Sequence, residues 1–83
     1  MVATENASSL QRLRKEAGLS QSQLAKAAGV KLQVLQQYER GVRDINGAKL
    51  LTLLKLCNAL ECELVDIITD EDTLEQLAEY ADR

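Results

Sequence analysis

Leu19-Ser20-Gln21-Ser22-Gln23-Leu24-Ala25-Lys26-Ala27-Ala28-Gly29-Val30-Lys31-Leu32-Gln33-Val34-Leu35-Gln36-Gln37-Tyr38-Glu39-Arg40-Gly41 is the stretch on which the fold turns. Ser20 and Gln23 stand three apart, so the serine hydroxyl can accept the glutamine N–H while the glutamine side chain reaches back. Leu19 and Leu24 occupy the two positions of a hydrophobic staple around the same start. A helix over about 21–28 follows, ending at Gly29, a residue free to take the left-handed conformation. A second helix runs over about 32–40 and is stopped by Gly41. Lys31 before it is a weak cap, because it offers no side-chain oxygen to the free N–H groups. Val34, Leu35 and Tyr38 anchor one face of this helix, while Gln33, Gln36 and Gln37 point elsewhere.

Outward from there, helical signals continue in both directions. Ser8 and Gln11 form a capping box for a first helix starting near Asn6–Ser8 and running to Ala17, with Leu10, Leu13 and Ala17 on one face and Gly18 as the stop. Asn46 caps a fourth helix over about 47–60 that turns Leu50, Leu53, Leu54, Cys57 and Leu60 inward. A short fifth helix lies near Glu63–Ile68. A sixth runs from about Leu74 to Ala81, with Asp72 or Thr73 as cap and Leu74, Leu77, Ala78 and Ala81 on one face. The short apolar runs lack the β-branched enrichment and turn spacing of strands. The expected fold class is all-α: a compact five-helix domain over residues 1–69, then an acidic amphipathic segment over 70–83 with a short sixth C-terminal helix.

Composition limits what such a domain does. Eighty-three residues make one domain, and a chain this short buries only about 60% of its unfolded surface. Hydrophobic residues at 46% and charged ones at 28% suit a globule and are too apolar for a disordered chain. With no His, the commonest general base and metal ligand is missing. No nucleophile–base pair, phosphate loop or metal cluster can be assembled, so the expectation is not an enzyme, and no cofactor. Tyr38 and Tyr80 are the only aromatics, too few to stack on single-stranded nucleic acid. Cys57 and Cys62 without a third ligand leave a tetrahedral metal site incomplete and are read as reduced, buried small hydrophobes. No apolar run suits a membrane span and the N-terminus lacks signal-peptide character, so a cytoplasmic protein without membrane contact is expected.

The net charge of −3 hides two opposed pieces. Residues 1–62 hold nine basic groups against five acidic ones, a balance of +4. Residues 63–83 hold eight acids and only Arg83, a balance of −7.

Two short helices separated by Gly29 and a three-residue turn match the helix-turn-helix, whose second helix enters the DNA major groove. Leu13 through Ala25, with Arg14-Lys15-Glu16-Ala17-Gly18 leading into Leu19-Ser20-Gln21, resembles the first half of a lambda-repressor/Cro-type (XRE-like) DNA-binding domain. Gly29-Val30 through Leu35, and Tyr38-Glu39-Arg40-Gly41, resemble its second half. Leu50–Leu60 is similar to the family's fourth helix and Leu64–Ile68 to its fifth, so the likeness spans about residues 8–68.

By this resemblance Leu32, Gln33 and Gln37 occupy the base-facing positions. Glutamine pairs with both N6 and N7 of adenine, and a leucine lies well against a thymine methyl. A row of glutamines is also what a solvated helix face looks like. The resemblance sets Gln21 against a DNA phosphate at the positive end of its helix. Ser20 is read only as a cap. Lys31, Gln36, Arg40 and Arg43 surround the recognition helix as phosphate-contacting or positioning groups. Arg14 and Glu39 stand where the family joins its first and third helices by an ion pair, a structural role. The chain departs from the family pattern at Lys31 for a usual Ser or Thr, Ile45 for a Pro, Glu61 for a Gly, and Glu63 for a Ser cap.

The implied function is a sequence-specific regulator of transcription, repressor in type, binding double-stranded DNA as a homodimer on half-sites about 34 Å apart. Two rivals stand beside it. An antitoxin would also hold a protein partner through residues 70–83, and a protein-interaction module would have lost DNA binding.

Overall fold

The computed structural model describes residues 8–83. The possible helix start at Asn6 lies outside them. Six α-helices follow one another: α1 Ser9–Glu16, α2 Gln21–Ala28, α3 Leu32–Glu39, α4 Leu50–Leu60, α5 Leu64–Ile67 and α6 Glu71–Ala81. A 3₁₀ turn, Ile45–Gly47, stands between α3 and α4. No strand occurs among the described residues, and no helix there is long and apolar enough to cross a membrane.

The start of α2 forms as its spacing demands. Ser20 Oγ accepts Gln23 N at 3.0 Å and Gln23 Oε1 accepts Ser20 N at 2.8 Å. Gly29 ends the helix at φ 71°, a left-handed conformation that costs glycine little. At α1 only half of the expected box exists: Ser8 Oγ accepts Gln11 N at 2.9 Å. Ala17 is the exposed C-cap of α1 and not part of its buried face.

Packing is built around α2, which rests on both α3 and α4, while α1 rests on α3 and α5. Each of these helices sends at least one leucine or isoleucine into a shared core. Leu10, Leu24, Leu35, Leu56 and Ile67 are the most deeply buried. Burying a side chain of this size contributes about 1.5–3 kcal/mol. Ile45, in place of the family's Pro, is buried in that core. Leu19, Leu13, Val30 and Val34 close it from the side.

Three sequence expectations change here. Asn46 does not cap α4; it lies inside the 3₁₀ turn, and α4 starts at Leu50 after Lys49, with no side-chain cap. The inward stripe of α4 is Leu53, Leu56, Cys57 and Leu60, whereas Leu50 and Leu54 are exposed at 61% and 41%. With leucine at six of eleven positions, sequence alone did not single out which face meets α2. The C-terminal helix is capped by Asp70, whose carboxylate accepts Thr73 N at 2.9 Å, so it starts three residues before Leu74. Ile68, the residue after α5, is buried, whereas Val65 within α5 is exposed.

Glu61 takes the left-handed conformation at φ 55° after α4, a place where glycine would be unstrained. Asp66 accepts the Glu63 N–H at 2.8 Å, the reach-back bond of a capping box at the start of α5.

Candidate nucleic-acid interface

The helix-turn-helix presents one face of α3 outward and fixes the opposite face by charge as well as by packing. Arg14, on α1, donates from Nε to Glu39 Oε2 at 2.7 Å and from Nη2 to Glu39 Oε1 at 3.0 Å. Its Nη1 donates to the Leu19 carbonyl at 2.9 Å. The fork thus joins the first helix, the link to α2 and the end of α3 in one contact. Glu39's side chain is only 1% exposed. The hydrogen bond to that carboxylate raises the Arg14 guanidinium pKa above its ordinary value, against the opposing effect of burial.

Two glutamines extend this clamp. Gln21 Nε2 donates to Glu39 Oε1 at 3.0 Å, and Gln36 Nε2 donates to Gln21 Oε1 at 3.3 Å. The side chains of Gln21 and Gln36 are therefore drawn along the α2–α3 seam, although Gln21 still opens α2 at its positive end.

The outward face is different in kind. Lys31, Leu32 and Gln33 at the start of α3 and Arg40 at its end are exposed, with Leu32 at 38%. Gln37 is half-buried one turn before the helix ends. Gly41 at φ 77° bends the chain back, and the N–H groups of Val42 and Arg43 both donate to the Gln37 carbonyl, at 2.9 and 3.2 Å. That turn sets Arg43 beside Gln37: Arg43 Nε donates to Gln37 Oε1 at 2.6 Å. Gln37, expected to face bases, and Arg43, expected to position the backbone, thus meet at the C-terminal end of α3.

A groove of about 420 Å³ continues from there, lined among others by Ser9, Arg12, Tyr38, Arg43 and Thr69. It sets the exposed Arg12 near Arg43, a placement that sequence reading missed because Arg12 lies far from α3 in the chain. Asn46 was also missed in its actual role. Its Oδ1 accepts Thr69 N and Asp70 N at 2.8 and 3.1 Å, and its Nδ2 donates to Thr69 Oγ1 and Asp44 Oδ1, both at 3.0 Å. An Asn between Ile45 and Gly47 has no local feature that announces a contact 23 residues away.

The two cysteines are both free. Cys57 is buried, and burial raises its pKa; Cys62 is half-buried and is pushed up to about 12, chiefly by burial as well. Both thiols are protonated at neutral pH. Among the described residues no group of three or more His, Cys, Asp or Glu side chains could hold a metal ion.

The helix-turn-helix family matches residues 10–67, which covers α1 through α5. Among solved structures, the chain is similar to the restriction-modification controller protein C.AhdI from Aeromonas hydrophila, known from a high-resolution crystal structure. The two are 35% identical, the match covers 72% of this chain and 86% of that one, and the TM-score is 0.65. No curated protein matches the chain.

Proposed function

As the chain belongs to the helix-turn-helix family of DNA-binding transcription regulators, we propose that it is a sequence-specific, repressor-type regulator that reads the major groove with α3. The observation that carries this reading is the division of α3 into two faces. Val34, Leu35, Tyr38 and Glu39 are packed or ion-paired inward, while Lys31, Leu32, Gln33 and Arg40 stand in solvent. In this reading Leu32, Gln33 and Gln37 meet base edges. Lys31 and Arg40 neutralise phosphates, helped by Gln36 and by Gln21 at the positive end of α2, and Arg43 is a positioning group just after α3. Arg14 and Glu39 touch no DNA; they hold α3 at its angle.

One such module meets few bases, so useful specificity calls for two copies on a two-fold operator, with half-sites about 34 Å apart. Apolar surface is available for self-association: Leu50, Leu51 and Leu54 on α4 and Val65 on α5 are exposed. The stripe of α6 adds to it, for Leu74 packs against the core while Ala78 and Ala81 are exposed. Similarity to a restriction-modification controller supports a regulator of gene expression over a module that has lost DNA binding. A second reading, an antitoxin holding a protein partner through residues 70–83, is favoured by one observation: α6 buries none of its residues.

Titration of labelled duplexes at several salt concentrations tests the main reading. With about four phosphates met per subunit, log K falls with log salt by roughly 0.9 per phosphate. Affinity without salt dependence would contradict it.

A further inference from the structure

We infer that Gln37 and Arg43 read one base together, as a donor-rich pair that selects guanine, and that Arg43 is a specificity-determining residue rather than a phosphate contact. The inference rests on the proposed reading of duplex DNA by α3 and names the base at one of its positions. Two separate constraints join the residues. The backbone turn at Gly41 brings both Val42 N and Arg43 N onto the Gln37 carbonyl, and the side chains then meet at 2.6 Å between Arg43 Nε and Gln37 Oε1. A residue meant only to neutralise a phosphate needs neither contact, because a point charge serves there without a defined orientation.

The chemistry of the joined pair differs from that of its parts. A lone glutamine offers one acceptor and one donor, the pattern that fits adenine N6 and N7. Here one of the two lone pairs of that acceptor, Oε1, is already held by Arg43. What remains is mostly donors: the Gln37 Nε2 hydrogens, and the terminal nitrogens of an exposed guanidinium for which no carboxylate partner occurs among the described residues. Guanine shows two acceptors, N7 and O6, in the major groove, and arginine meets them with two parallel bonds. Adenine at the same place would set its N6 donor against the N–H donors of Arg43. Holding Arg43 by Nε also fixes its plane before DNA arrives, which lowers the ordering cost of the two-bond contact.

The test uses the full chain and duplexes selected from a random pool. We expect one half-site position to be enriched in guanine, and a change of that dG to dA to weaken binding roughly tenfold or more. Substituting 7-deazaguanine there, which removes the N7 acceptor, should weaken binding of the wild-type chain and leave Arg43→Ala indifferent. Arg43→Lys keeps the charge and loses the fork, so it should keep the salt slope while losing the guanine preference. Gln37→Ala should shrink the preference at the same position. Circular dichroism of each variant checks the fold, which changes at the exposed Arg43 and the half-buried Gln37 should leave intact. A preference for adenine, or Arg43→Ala weakening every duplex alike with its preference unchanged, overturns the inference while leaving duplex reading in place. A wild-type chain that binds all duplexes equally overturns the reading of function as well.

Discussion

The clamp of α1, α2 and α3 and the C-terminal helix α6 are opposite answers to the problem of holding a short helix. Each helix of the clamp has eight residues, too few to persist alone in water. Each is held by a deeply buried leucine and by its share of the contact that joins Arg14, Glu39, Leu19 and Gln21. Helix α6 is longer, at eleven residues, yet buries none of them, and Tyr80 is 72% exposed. It is tied to the domain by Leu74 and by the Asn46 hydrogen bonds at its first turn. Charge divides along the same line, since DNA would attract the basic clamp and repel the acidic helix. Rigidity sits where a recognition surface needs orientation, and an unburied apolar stripe sits on the element that DNA would push away.

The largest expected effect strikes the clamp. Arg14→Ala or Glu39→Ala should each lower unfolding free energy by about 3 kcal/mol, because either leaves a buried charge without its partner. The double variant should lose less than the sum of the two, as measured by urea denaturation. Simple additivity would show that packing alone holds α3, and the contrast with α6 would then be one of area only.

Next in size is a gain at the junction of the two regions. Glu61→Gly should raise stability by roughly 1 kcal/mol, since the left-handed conformation costs a side chain about that much. A thermal melt reads the shift; a loss would mean that Glu61 makes a contribution its backbone does not reveal.

Deleting residues 70–83 sharpens the comparison from the other side. Losing α6 gives up the packing of Leu74 and little else, so the remaining domain should lose no more than about 1–2 kcal/mol and keep its helices. Sedimentation should show weakened self-association if α6 extends the interface between copies. A truncated chain that sediments and binds DNA as the whole one does would remove α6 from that interface.

The smallest effect is a pH dependence. Thr73 donates to the Asp70 carboxylate through its hydroxyl and its N–H, and these bonds, the hydroxyl first, lower the Asp70 pKa below its ordinary value. A lowered folded-state pKa means that this cap stabilises α6 above the usual carboxylate range and is lost as pH falls through the folded value. Helicity of α6, followed by NMR from neutral pH downward, should fray only in acid, below the usual carboxylate range; Asp70→Asn should weaken the dependence, and α6 should not tighten as pH falls.

Much of this contrast was legible before the structure. The Ser20/Gln23 spacing and Gly29 are local signals, and they placed α2 to the residue. The clamp partners were legible only through the family resemblance, because 25 residues separate Arg14 from Glu39. The facing of α4 was not legible. Its leucines satisfy more than one helical stripe, and the choice of Leu53 and Leu56 over Leu50 and Leu54 is made by the packing of α2 and α5 against it. Asn46 misled for a similar reason. Its local spacing suits a helix cap, but Asp44 takes its N–H and turns its amide toward Thr69 and Asp70. At the candidate interface, sequence assigned Gln37 and Arg43 separate tasks, and only the turn at Gly41 shows that their side chains touch.

The central claim is that the exposed face of α3 and the turn after it read base sequence while the clamp holds them still. Its most direct measurement is the affinity of the full chain for a duplex selected from a random pool, against a scrambled duplex of the same length and composition, at physiological salt. The account predicts that the selected duplex binds about a thousandfold more tightly or better, and that it carries two inverted half-sites about ten base pairs apart, centre to centre. Equal affinity for the two duplexes would contradict it.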